Sequence, residues 1–149
     1  MAHGFSMKMT KTGPMEFKTE FDKDFFPDLF FDEPAESGGE DKYPNASRVL
    51  TAAVMNCLSA SFTFCLTRSH LPMDDFELVT TANTTIDRNE NNRLRIKNIT
   101  VEIKPVFKGE AASEEFKAKI QRCINIFQDY CTVSSSVKEG IDITTNVVM

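Results

Sequence analysis

The chain has no tryptophan, only two tyrosines and two histidines, and no cysteines at Cys-x-x-Cys spacing. Each absence closes off a class of function. His3 lies far in sequence from Cys57, Cys65, Cys123 and Cys131, and His70 is near Cys65 alone, so neither a zinc ribbon nor a His/Cys metal centre is expected. Four cysteines in 149 residues are too sparse for the disulfide framework of a small secreted scaffold. The 17 Lys and Arg are outnumbered by 22 Asp and Glu and form no cluster or stripe, so the basic surface that a phosphate backbone requires is missing. Nucleic acid is therefore not expected as a partner. The opening MAHGFSMKMTKTGPM lacks the apolar core and small-residue cleavage site of a secretory signal, which points to the cytoplasm, where thiols start reduced.

What is present fits one globular domain over residues 1–149, with 41% hydrophobic and 26% charged side chains; residues 1–14 are expected as a flexible N-terminus. Thirteen phenylalanines bring much apolar area, some of which a dimer interface is expected to cover.

MEFKTEF, residues 15–21, alternates apolar and charged residues and reads as a half-buried strand started by Pro14. A short extended piece follows at Leu29 to Phe31, then the polar, glycine-rich loop ESGGEDK. From Ser47 to Arg68 there is no proline or glycine, and the nineteen residues between Arg48 and Arg68 carry no charge. This predicts one long buried helix capped by Asn45 or Ser47. Its length also suits a membrane span, but Thr51, Asn56, Ser59, Ser61 and Thr63 interrupt the apolar run, and no membrane partner is expected.

Residues 76–87 and 94–107 read as two strands of a hairpin around the turn RNENNR. Leu94 and Ile96 share one parity, whereas Ile99, Val101 and Ile103 take the other. An extra residue near Lys97 and Asn98 is needed to keep the apolar set on one face, which predicts a bulge. Ser113, Glu114 and Glu115 open an amphipathic helix through Phe116, Ile120, Cys123, Ile124 and Phe127. CTVSSSVKEG then reads as a turn or a new helix start ending at Gly140, before a last strand from Ile141 to Val148. The order predicts an α+β fold, a mainly antiparallel sheet packed on a long buried helix and a second helix.

Free cysteine is commonly core filler, and Cys65 and Cys123 are assigned to that class. Cys65 follows Cys57 by eight residues, about 12 Å along a helix axis, too far for a bridge within the helix. Cys131 has a stronger local case. If it opens a new turn, the free amides there, with the hydroxyls of Thr132, Ser134 and Ser135, favour a thiolate. Cys57, with Asn56 and Ser61 as its polar company, sits in an apolar helix that disfavours its charged form, so its activating group must come from elsewhere in the fold.

The runs PNASRVLTAAVMNCLSASFTFCL and FQDYCTVSSSVKEGIDITTNV together resemble the two signatures of the OsmC/Ohr hydroperoxide-resistance family. The FDEP loop is similar to that of archaeal-type OsmC-like members, and the resemblance covers most of residues 15–148. It implies an intertwined homodimer that reduces organic hydroperoxides with an external dithiol and needs no metal or organic cofactor. It assigns Cys57 as the peroxide-reactive cysteine and Cys131 as its disulfide partner. The family also uses an arginine on an N-terminal loop and a glutamate at the start of the central helix. Here no arginine precedes Arg48, and Ser47 stands at the glutamate position. Arg48, nine residues before Cys57, falls about 180° around the helix from it; Lys18, Lys23 and Glu33 are the other candidates for that role. The missing pair keeps a second reading open, a redox sensor without turnover or a dimer that binds a small hydrophobic molecule. In a third reading all four cysteines are core residues of an assembly domain.

Overall fold

The computed structural model describes residues 2–149. The backbone divides into two compact units, Met1–Leu50 and Thr51–Met149. In the first, β1 (Lys8–Lys11), β2 (Phe17–Glu20) and β3 (Leu29–Phe31) form an antiparallel sheet in that order. Strand β2 is the expected alternating strand, and β3 has the expected bounds. Strand β1, within the stretch expected as a flexible N-terminus, is exposed throughout and pairs Lys8 with Glu20.

The loop after β3 is organised by one carboxylate. Asp32, 3% exposed, accepts the amides of Glu33 at 2.8 Å and of Glu40 and Lys42, each at 3.1 Å. Three donors favour the ionised form, and the Lys42 amide is the largest influence holding this carboxyl below its usual value. The fold of the loop also depends on Gly39, where a Cβ would meet the Glu33 carbonyl oxygen at 1.8 Å.

Helix α1 (Ala46–Arg68) passes from the first unit into the second. Asn45 caps it as expected, its Oδ1 accepting the Arg48 amide at 3.2 Å. In the second unit β4 (Glu77–Arg88) and β5 (Leu94–Val106) form the long antiparallel hairpin. The Asn89 side chain closes its turn by accepting the amides of Asn91 and Arg93. Thr85 pairs with Asn98 and Ile86 with Ile96, so Lys97 is the extra residue of the bulge. It keeps Ile96, Ile99, Val101 and Ile103 together on the less exposed face. The hydroxyls that interrupt the apolar run of α1 have partners on β4: Thr51 bonds Thr84 and Ser59 bonds Thr80, each at 2.7 Å.

Helix α2 (Glu114–Ile126) starts after Ser113 with Glu114 and Glu115 in its first turn. A 3-10 turn (Phe127–Tyr130) leads from it to α3 (Thr132–Glu139). The core joins Phe62 and Leu66 of α1 to Leu71, Phe116, Cys123 and Phe127.

Three expectations are corrected. Helix α1 is not buried by this chain: only Val54, Phe62 and Leu66 are, and Phe64 is 65% exposed. Its apolar residues lie all around the axis, and one chain covers only part of that circumference. By length and composition alone it would also suit a membrane span. Second, residues 141–148 form no strand. After Gly140, at φ 84°, the backbone finds no ladder partner, and Ile141, Ile143 and Val147 stay exposed. Third, Cys65 and Cys123 are not separate core fillers but a disulfide, with Cα atoms 5.6 Å apart. Spacing within α1 excluded only a bridge to Cys57; the second sulfur comes from α2.

Candidate redox site

Cys57 and Cys131 are the two free cysteines, and both lie in the second unit. Cys131 is the N-cap of α3. Its backbone is extended at φ −81° and ψ 100°, and its sulfur accepts the Ser134 amide at 3.4 Å. The amide one residue earlier, that of Val133, donates to the Cys57 sulfur, also at 3.4 Å. Two successive amides at one helix start, which have no partner inside the helix, are thus addressed to two sulfurs far apart in sequence. The new turn expected at Cys131 accounts for one of these bonds. The other, from Val133 to Cys57, was not legible because it depends on how α3 docks against α1.

The two thiols are not equivalent. Burial pushes the Cys57 thiol above its ordinary value, and its interaction with the Cys131 sulfur acts in the same direction; the Val133 amide opposes both. Burial also disfavours the Cys131 thiolate, but the hydrogen donated by Cys57, together with Ser134 and Ser61, outweighs it and holds that thiol below its ordinary value. The surroundings therefore favour the thiolate form of Cys131 over that of Cys57. Cys131 is fully buried, whereas Cys57 is partly exposed. Ser61, one helical turn beyond Cys57, supports the thiolate form of both cysteines. Asn56, the other polar neighbour of Cys57 in the sequence, is exposed.

The candidate N-terminal groups have interactions of their own. Lys18 pairs with Glu20 at 3.8 Å and Asp28 at 3.7 Å, Lys23 lies 5.8 Å above the Phe25 ring, and Arg48 is exposed. Among the described residues no group of three or more His, Cys, Asp or Glu is arranged to hold a metal ion.

A cavity of about 720 Å³ lies next to this site and shares Ser134 with it, although neither cysteine lines it. Val54, Leu58 and Phe62 of α1, Ile99 and Val101 of β5, and Phe127 make its wall apolar, with Lys97, Gln128 and Lys138 as polar members. Ser134 belongs both to this wall and to the cysteine pair. Its hydroxyl is buried without a partner at hydrogen-bonding geometry among the described residues.

The fold is shared with solved structures. An OsmC-like protein of unknown function from Vibrio cholerae superposes with a TM-score of 0.75 at 11% identity, over 92% of this chain and 95% of that one. An organic hydroperoxide resistance protein from Legionella pneumophila gives 0.62 at 12% identity, over 93% and 91%. The organic hydroperoxide resistance protein OhrB of Bacillus subtilis gives 0.61 at 14%, over 94% of each chain. No curated protein matches the sequence. The family model described as OsmC-like protein matches residues 39–146, a stretch that holds both free cysteines and the helix start between them, and the chain belongs to that family.

Proposed function

We propose that this protein is a thiol-dependent peroxidase that reduces organic hydroperoxides, with Cys57 as nucleophile and Cys131 as resolving thiol. The observation that carries the reading is the pair of consecutive amides, Val133 to Cys57 and Ser134 to Cys131, at the start of α3. They supply anion-stabilising donors where the family's arginine and glutamate are missing. Cys57 attacks the distal peroxide oxygen and the O–O bond breaks. The sulfur becomes a sulfenic acid, and the thiol proton leaves with the alkoxide as alcohol. The Cys131 thiolate then attacks the Cys57 sulfur, forming the disulfide and releasing hydroxide, which takes a proton from solvent and leaves as water. An external dithiol reduces that bond and is itself oxidised to a disulfide. The apolar cavity beside the pair suits the organic part of the substrate.

The working form is a cytoplasmic homodimer. Helix α1, apolar on all sides and little covered by its own chain, supports this, and light scattering is expected to give twice the chain mass of 16.8 kDa. The cavity also supports the second reading, a dimer that binds a small hydrophobic molecule without turnover.

Consumption of cumene hydroperoxide under excess dithiol separates the two. Wild type is expected to turn over many equivalents and to lose two protons in intact mass after one equivalent of peroxide. Cys57→Ser should be inactive, and Cys131→Ser should stop at the Cys57 sulfenic acid. Retained turnover in Cys57→Ser would refute the assignment, and an unchanged wild-type mass would favour the binding reading.

A further inference from the structure

The four cysteines form a ladder. Cys65 lies eight residues after Cys57 on α1 (57 to 65), and Cys123 lies eight residues before Cys131 on the opposite segment (123 to 131). The disulfide Cys65–Cys123 is one rung and the facing thiols Cys57 and Cys131 are the other, so the two segments run in opposite directions where they meet. Between the rungs the rings of Phe62 and Phe127 pack edge to face, with centroids 5.2 Å apart. The 3-10 turn Phe127–Tyr130 then carries the chain from α2 straight to Cys131.

We infer that the Cys65–Cys123 disulfide is a positioning bond, which fixes the register of α1 against the α2–α3 segment and thereby holds Cys131 and the Val133 amide against Cys57. The inference rests on the peroxidase reading for the reaction it positions, but not for its own detection. A covalent bond defines the separation at one rung. Eight residues away, about 12 Å along α1, the second rung needs two sulfurs within bonding reach and an amide aimed at one of them. A displacement of 1 Å in such an arrangement can cost on the order of a hundredfold in rate. Cys123 is fully buried and Cys65 packs against the same core, so the bond sits within the packing of α1 on α2. The Ser69 hydroxyl, 3.5 Å from the Cys123 sulfur, joins the end of α1 to this rung as well.

The test begins with native protein treated with just enough dithiol to reduce Cys57 and Cys131. Thiol titration is expected to find two reactive groups, and non-reducing digestion to recover the Cys65 and Cys123 peptides linked. Four free thiols would overturn the inference without any variant having to fold. The second measurement uses Cys65→Ala/Cys123→Ala. Closure of the Cys57–Cys131 bond after one equivalent of peroxide is expected to slow by tenfold or more. The sulfenic acid trapped at Cys57 should increase, and the pH profile of Cys57 alkylation should move upward. If the variant melts lower but keeps the wild-type closure rate and alkylation profile, the bond only stabilises the fold and the positioning role is wrong. Alkylation needs no peroxide, so a protein that never reacts with hydroperoxide but shows the shifted profile would refute the peroxidase reading and leave the positioning role standing.

Discussion

Removing the Val133 amide tests what tunes Cys57. In Val133→Pro the donor to the Cys57 sulfur disappears while the Ser134 donor to Cys131 remains. A hydrogen bond to a charged group contributes roughly 1.5–3 kcal/mol, and sulfur is a weak acceptor, so the lower figure applies. At about 1.4 kcal/mol per factor of ten, the thiolate population of Cys57 below its midpoint should fall roughly tenfold. The more basic thiolate that remains is about threefold more nucleophilic, which leaves a net loss of roughly three- to fourfold in the rate of Cys57 oxidation near neutral pH. Thr132→Pro is the control. It places proline at the first position of α3, where proline is favoured, and the extended Cys131 before it is compatible with that. The assay is the rate of Cys57 alkylation by iodoacetamide across pH, read by peptide mass. Val133→Pro should move the midpoint upward and Thr132→Pro should not. Identical profiles for the two variants would refute the assignment of the amide as the tuning group.

Three further outcomes are expected. Because burial raises the Cys57 thiol above its ordinary value, its alkylation and oxidation rates should still be rising with pH at the ordinary cysteine midpoint, and a plateau already reached at neutral pH would contradict that environment. Leu66, fully buried in the core, should cost about 2–5 kcal/mol when truncated in Leu66→Ala, seen as a Tm lower by about 10 °C. The depressed carboxyl of Asp32 contributes stability that is present above its unfolded value and is lost as pH falls through its lower folded value. The acid-side melting difference between wild type and Asp32→Asn should therefore shrink over that interval.

Much of this architecture was legible because local chemistry decided it. Asn45 or Ser47 at the head of a proline- and glycine-free run marked the start of α1, since a side-chain acceptor there satisfies an amide that the helix leaves open, and Asn45 is the one that does so. The change of parity around Lys97 located the bulge, because a period of two cannot keep Ile96 and Ile99 on one face without an extra residue. Likewise, the hydroxyl-rich CTVSSS after Tyr130 marked a turn or a new helix start with free amides, and α3 begins there. The uniform hydrophobicity of α1 was also visible, but hydrophobicity alone does not say which molecule covers a face, and within one chain most of this helix stays uncovered. The alternation in residues 141–148 allowed a strand, yet a strand exists only where another edge accepts its hydrogen bonds. Contacts between segments distant in the sequence lay beyond local pattern altogether: the Val133 amide on Cys57 and the bond from Cys65 to Cys123 arise only when the α2–α3 segment docks on α1. The sequence by itself determined which residues cap, bulge and turn, because those choices are made within a few residues. Only the tertiary structure decided which sulfur faces which, because that depends on the packing of segments that have no local reason to meet.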